Sequence, residues 1–357
     1  MRKLASIILF LLSFGPAIAQ DDVATKNVLS NVLVEYIQPR YADLYTKSQT
    51  LRSATTELCQ SASKQYLELA QSEFIGFANS WARIEWFRVG PIMSKNRVER
   101  ILFYPDRKST GLKQVQRALL NQDQTVTSLD RLSQKSVAVQ GLGALEFILF
   151  GTGFKDLQSA TGSHRCRFAN AVAQNLEHIS KTLSDGWANG SMAAQFWVNP
   201  NDENPLFRDD NEALNVLIGT LDHGLEALKD VRIGAFLKEE TKLDRPKSAL
   251  MWRSENTFGM IENGLEGLDE LFDKSGIEAL LGAEHRNISD ATRFEFNQAI
   301  NTARMLNKSV FDILAESQDR QKISYLKLAI GFTMSRIDKD LSQQLGLSAG
   351  FSFGDGD

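Results

Sequence analysis

The sequence predicts an all-α fold of two helical bundles packed together, on two observations. Apolar residues recur at alternating steps of three and four through most of the chain, the period of a helix with one buried stripe. No comparable set of alternating apolar and polar runs, the mark of half-buried strands, accompanies them.

Arg2 and Lys3 precede an apolar run over residues 4–14, and Ala17-Ile18-Ala19 offers small residues for cleavage. Residues 1–19 therefore read as a signal peptide cut after Ala19, and the mature chain as periplasmic. Val28, Leu29, Val32, Leu33, Tyr36 and Ile37 open the mature fold; Pro39, with no N–H to donate, is expected to bend or end that helix. Leu67, Ala70, Phe74, Phe77, Trp81 and Ile84 form the next stripe, and Gly90-Pro91 and Tyr104-Pro105-Asp106 interrupt the chain after it. A further break over 151–162 leads into Phe168, Val172, Leu176, Ile179, Leu183 and Trp187. The polar stretch 199–205, with two prolines, is the expected boundary between an N-terminal bundle over 20–198 and a C-terminal bundle over 206–345. Leu214, Leu217, Leu221, Leu225 and Leu228 make one C-terminal stripe, and Phe258, Ile261, Leu265, Leu268 and Phe272 another. The Gly- and Asp-rich tail from Gly350 reads as an exposed end, since its spacing fits no calcium loop.

Composition narrows the function. With 44 acidic against 40 basic residues, and neither a basic block nor a cationic stripe interleaved with aromatics, the chain gives no sign of binding nucleic acid. No stretch after the leader approaches the length of a membrane span, and no Cys follows the cleavage site to take a lipid anchor. Cys59 and Cys166 read as a disulfide in an oxidising compartment; two inert buried thiols or a redox or metal pair are the alternatives, the last without a C-x-x-C spacing behind it.

One carboxylate stands out. In residues 141–151, G-L-G-A-L-E-F-I-L-F-G, Glu146 sits inside an otherwise apolar run. A buried ionised carboxyl needs a cation, a metal or several donors, or it neutralises. Glu146 is therefore either a structural acid paired with an arginine or a group of a site. Gly141 and Gly143, each unfavourable inside a helix, suggest close backbone approach or unfilled space beside it. The segment 81–106 mixes Arg83, Glu85, Arg88, Arg97, Glu99 and Arg100 with Trp81, Trp86, Phe87, Phe103 and Tyr104. Guanidinium groups among aromatics can pair with a buried acid while stacking on rings, so Glu146 could find its partner there; the segment reads either as an interlocked set of structural ion pairs and Trp packing or as an anion-binding or site-lining surface, with Trp81, Arg83, Glu85 and Arg88 as its candidate residues. Among the histidines, His178 and His223 lie opposite the apolar stripes of their helices and read as solvent-facing. His285 follows a glycine-containing break, and His164 stands two residues before Cys166. Neither an H-E-x-x-H nor a nucleophile with a visible base occurs.

Residues 141–151 resemble the signature of the imelysin-like proteins, G-x-H-x-x-E followed by an apolar stretch ending in glycine. Gly141 and Glu146 match, and Gly143 stands at the position of the histidine. Further matches are residues 34–41, Trp81, Gly90-Pro91, Tyr104-Pro105-Asp106, residues 135–140, Arg165-Cys166, Trp252-Arg253-Ser254, Leu345-Gly346 and Gly350-Phe351, so the resemblance covers about residues 24–354 as one unit. It implies an all-helical envelope protein of two bundles associated with bacterial iron acquisition, in a family named for a proposed metallopeptidase activity that depends on the His and the Glu. With the His replaced, the resemblance implies a non-catalytic binding or accessory protein for iron or another divalent metal, with Glu146 as the one metal ligand it carries over. Its partner would be an envelope protein or an iron-bearing ligand. The alternatives are a metal-dependent peptidase using Glu146, or an envelope interaction module in which Glu146 is structural.

Overall fold

The computed structural model describes residues 17–348 and 350, with side chains from residue 23 onward. Most of the expected leader, and the tail beyond Gly350, lie outside the described residues. Those described contain helices and loops but no strand.

The first apolar stripe spans one long helical rod. Helix α1 (Ala17–Asn31) runs through a π-helical turn at Val32–Ile37 into α2 (Gln38–Gln60). Pro39 thus does not end the helix, one of the two outcomes, bending or ending, that the sequence left open. It falls in the first turn of α2, where its missing N–H costs least, and the widened turn before it shifts the hydrogen-bond register. Helix α3 (Lys64–Ala82) starts at Ser63, whose hydroxyl accepts the Tyr66 N–H at 3.2 Å. Next come α4 (Leu142–Phe150) and α5 (His164–Gly186), the latter capped by Ser163. The C-terminal half holds α6 (Asp210–Glu226), α7 (Thr257–Ser275), α8 (Asn287–Arg304) and α9 (Ser317–Ser335). Asp209 caps α6 through the Glu212 N–H, and Gly276, at φ +64°, ends α7 in the left-handed conformation that glycine adopts without strain.

Helix α2 packs between α3 and α5, while α8 packs against α7 and α9, and α6 lies against α7 and α9. Every residue of the five stripes named above is buried, each large apolar side chain contributing roughly 1.5–3 kcal/mol on burial. The two groups of helices share one continuous apolar core, because α7 also packs on α3 and on the π-helical turn after α1. Gly267 permits that approach: a Cβ there would lie 2.1 Å from the Arg83 carbonyl oxygen. Tyr36 donates its hydroxyl to the same carbonyl at 2.7 Å. A disulfide between Cys59 and Cys166 joins the end of α2 to the start of α5, with Cα atoms 5.4 Å apart.

Candidate functional site

Helix α4 owes its position to its two flanking glycines. Gly141 precedes its first residue, and a Cβ there would come within 2.4 Å of the carbonyl oxygens of both Arg100 and Ile101, so only glycine lets the helix start against that turn. At the other end a Cβ on Gly151 would meet the Phe147 carbonyl at 2.5 Å. Side chains meet the carbonyls at and just beyond the last turn. Arg165 donates to Ile148 O (3.1 Å), Phe147 O (3.3 Å) and Thr152 O (2.8 Å), and Gln71 donates to Leu149 O (2.7 Å). Arg165 thereby sets a cation at the negative end of the helix.

Glu146 projects from this helix and is 5 % exposed. Its Oε1 accepts the backbone N–H groups of Arg253 (3.0 Å) and Ser254 (3.1 Å) and the Ser254 hydroxyl (3.1 Å), while Oε2 faces the Arg253 guanidinium at 3.8 Å. Burial pushes the carboxyl above its ordinary pKa, and the donors and Arg253 offset only part of that shift. The receiving loop is strained at both ends: Met251 and Glu255 each have φ near +56°, the left-handed region that side chains disfavour. The carboxylate of Glu146 thus holds an anion-shaped turn of backbone donors in place from inside the protein.

These residues form one wall of a cavity of about 580 Å³. Its lining comes from the loop and helix start around Phe103–Leu112, from Gly141, Gly143 and Glu146, and from two C-terminal stretches, Asp230–Lys238 and Arg245–Arg253. Nothing lies within 4 Å of where a Cβ on Gly143 would stand, so the glycine leaves open space one helical turn from Glu146. The Asp230 stretch belongs to a second π-helical turn, Ala227–Ile233, which continues α6. Arg253 is 19 % exposed, lies over the Trp252 ring at 4.2 Å and the Phe147 ring at 5.5 Å, and donates no side-chain hydrogen bond within the described residues.

Of the 81–106 segment, Phe103 and Tyr104 line the cavity, while Trp81, Arg83, Glu85 and Arg88 lie outside it. Glu85 pairs with Arg232 at 2.7 Å, both almost fully buried, and Arg232 is sandwiched between Trp86 and Tyr104. Burial pushes Glu85 up in pKa, while Arg232 and then Arg88 pull it back; Arg88, itself largely buried, has its pKa lowered by burial. Arg83 instead faces α7, bonding Asn263 at 2.9 Å and pairing with Glu266 and Glu270. Trp81 is core, 1 % exposed. The 81–106 segment does not supply the partner of Glu146: Arg83 is engaged with α7, Glu85 with Arg232 and Arg97 with the Pro91 carbonyl, and the cation beside Glu146 is Arg253, 107 residues along the chain. Only the Trp252-Arg253-Ser254 run, an aromatic and a cation before a hydroxyl, marked that partner in the sequence. Arg232 had no local signal.

The histidines need one further correction. His223 is buried rather than solvent-facing, beside Asp222 (3.6 Å) and Glu226 (4.0 Å), because α6 is covered by neighbours on more than its leucine face. Burial pushes Asp222 up to about 6 against the pull of His223. His178 is exposed, His164 contacts the Asp123 carbonyl at 2.9 Å, and His285 stands beside Glu284. Among the described residues no three His, Cys, Asp or Glu side chains are grouped to hold a metal ion. Glu146 does not fit a protein-held metal: one oxygen is taken by three donors, and the other faces a cation.

Such an all-helical chain, with a buried motif acid behind a cavity, can be set beside known proteins. The family model for Imelysin matches residues 37–331, and the chain belongs to that family. An imelysin-like protein from Psychrobacter arcticum 273-4 shares the fold with a TM-score of 0.75 at 17 % identity, over 92 % of this chain and 98 % of that one. A protein from Parabacteroides distasonis ATCC 8503, described as a "putative iron-regulated protein A precursor", aligns with a TM-score of 0.67 at 13 % identity, over 91 % and 97 %. No curated protein matches the chain.

Proposed function

We propose that this chain is a periplasmic binding protein that accompanies iron or metal acquisition and holds a small ligand without transforming it. The observation that carries the reading is the cavity at Glu146. Its acid is satisfied by the Arg253–Ser254 turn, so it is neither a free base nor a free metal ligand, while the guanidinium beside it stays open to the cavity. The volume falls in the range of small-molecule sites. The link to iron rests on the family and on the name of the Parabacteroides distasonis neighbour. The leader-like residues 1–19 and the Cys59–Cys166 disulfide support an oxidising envelope compartment.

Two measurements test the reading. The mature protein is expected to cleave no unfolded substrate in a chelator-sensitive manner. Native mass spectrometry of protein from iron-starved cells is expected to show a bound small molecule that Gly143→Trp, which fills the cavity, removes. Chelator-sensitive cleavage would restore the peptidase alternative. A ligand retained by Gly143→Trp would move the site away from Glu146.

A further inference from the structure

We infer that the cavity beside Glu146 takes a polycarboxylate anion, held by Arg253 together with Arg107, Arg245 and Lys247. The inference rests on the reading of the chain as a binding protein and adds the chemical class of its ligand.

The charged lining carries the argument. Three acids and five cations face the cavity: Asp106, Glu146 and Asp230 against Arg107, Lys238, Arg245, Lys247 and Arg253. Each acid is already occupied. Asp106 accepts the N–H groups of Thr110 (2.6 Å) and Leu112 (3.1 Å), as a cap on the helix that follows. Glu146 accepts three donors, and Asp230 pairs with Lys229 (3.2 Å) and Lys327 (3.4 Å). Of the cations, only Lys238 is committed to a hydrogen bond, to Gly234 O. The side chains of Arg107, Arg245 and Lys247 make neither hydrogen bond nor ion pair with the described residues, and the Arg253 guanidinium has only the looser 3.8 Å approach of Glu146.

Four cations with free donors therefore face one cavity from three segments of chain: the loop after Tyr104, the stretch at Arg245–Lys247 and the strained turn at Arg253. Solvated singly on a convex surface, such residues would be ordinary. Around a concavity they repel one another and concentrate a positive potential, which an anion relieves. Arginine forks match the planar, two-oxygen geometry of carboxylates, and cations on separate walls suit a ligand bearing more than one of them. Glu146 is in this account a positioning residue. It fixes the turn that carries Arg253, and its hydrogen bonds are made with the Arg253–Ser254 backbone and the Ser254 hydroxyl, so the Arg253 guanidinium keeps its donors.

The same chemistry could come from a free polycarboxylic acid or from its metal chelate, where the metal is cargo and the protein grips only the ligand's carboxylates. The test is calorimetric titration of the mature chain with citrate, with ferric citrate, with inorganic phosphate and with ferrous chloride, at about 50 and 300 mM salt. Saturable binding of citrate or ferric citrate is expected, weaker at the higher salt. It should fall about tenfold or more in Arg253→Ala, the loss of a charged hydrogen bond, and severalfold in Arg245→Gln with Lys247→Gln, whose exposed side chains leave folding intact. Binding of both forms would assign the acid itself as the recognised group; binding of ferric citrate alone would assign the chelate. Phosphate or ferrous ion binding to the exclusion of both citrates would overturn the inference. So would retention of the native ligand by Gly143-sensitive binding while neither citrate competes for it; in that case the binding-protein reading stands and only the ligand class falls. Absence of any cavity-dependent ligand in both this titration and the mass spectrometry would remove both.

Discussion

Two buried acids, Glu85 and Glu146, each face an arginine, and the two pairs are built in opposite ways. Glu85 and Arg232 meet directly at 2.7 Å, are 3 % and 7 % exposed, and have the guanidinium enclosed between two rings. Glu146 takes its hydrogen bonds from a backbone turn and a hydroxyl, and Arg253 stands 3.8 Å off with a fifth of its side chain exposed. In the first pair each charge is the other's main compensation, so the pair is closed and serves the fold. In the second, the acid is satisfied without the arginine. The arginine is thus held in place by stacking yet keeps its donors for something else. Two pairs of the same chemical type teach that the number of independent donors on the acid decides whether its cation is spent.

The sharpest way to break the comparison is Arg232→Ala. It leaves Glu85 buried without its counter-charge, and a cost of roughly 3–5 kcal/mol at pH 7.5 is expected in denaturant unfolding. The sign of the pH dependence follows from the raised pKa of Glu85. The folded state holds the proton more tightly than the unfolded chain, whose value lies near 4.5, so stability is lost as pH rises above that value. The cost should shrink towards pH 5. A pH-independent cost below about 1 kcal/mol would mean that Glu85 is compensated elsewhere.

Glu146→Ala comes next, at about 2–4 kcal/mol, since it strands two buried N–H groups and a hydroxyl and releases a turn strained at Met251 and Glu255. It is also expected to abolish cavity binding by letting Arg253 drift. Loss of stability with ligand affinity unchanged would make Glu146 purely structural and return the chain to an interaction module. Arg253→Ala should separate the two effects most cleanly. Its side chain is only partly exposed and meets Glu146 at 3.8 Å without a hydrogen bond, so a loss of about 1 kcal/mol is expected, smaller than for Glu146→Ala, while citrate binding falls about tenfold or more.

The sequence carried the helices well because their stripes are local. Leu67 to Trp81 on α3 and Phe258 to Phe272 on α7 each repeat within one element, and burial follows from the repeat alone. It carried half of one pair: Glu146 in an apolar run announced that a partner must exist. Which arginine answers which acid was not legible, because Arg253 and Arg232 arrive from 107 and 147 residues away and nothing local in the chain encodes which loop folds over which helix. The same limit hid His223, whose helix face is covered by elements far off in sequence. The continuation of the helix past Pro39 was hidden for a different reason: a π-helical turn shifts register and needs no breaker residue to mark it.

The smallest expected effect on stability belongs to Gly143→His, which restores the histidine of the motif that the family resemblance points to. A side chain there meets nothing within 4 Å, and the position is helical without positive φ, so replacing glycine should leave stability within about 0.5 kcal/mol. The imidazole would stand in the cavity one turn before Glu146 and is expected to weaken citrate binding by occupying its space. Stoichiometric zinc binding is not expected: a His and a Glu are two ligands where structural and catalytic zinc sites use at least three, and Oε1 of this Glu is already committed to the Arg253–Ser254 turn. A zinc titration of the variant reads the outcome directly. Tight stoichiometric binding would show that the carboxylate can leave its donors, and the contrast between a committed acid with an open arginine and a closed pair would then fail at its first premise.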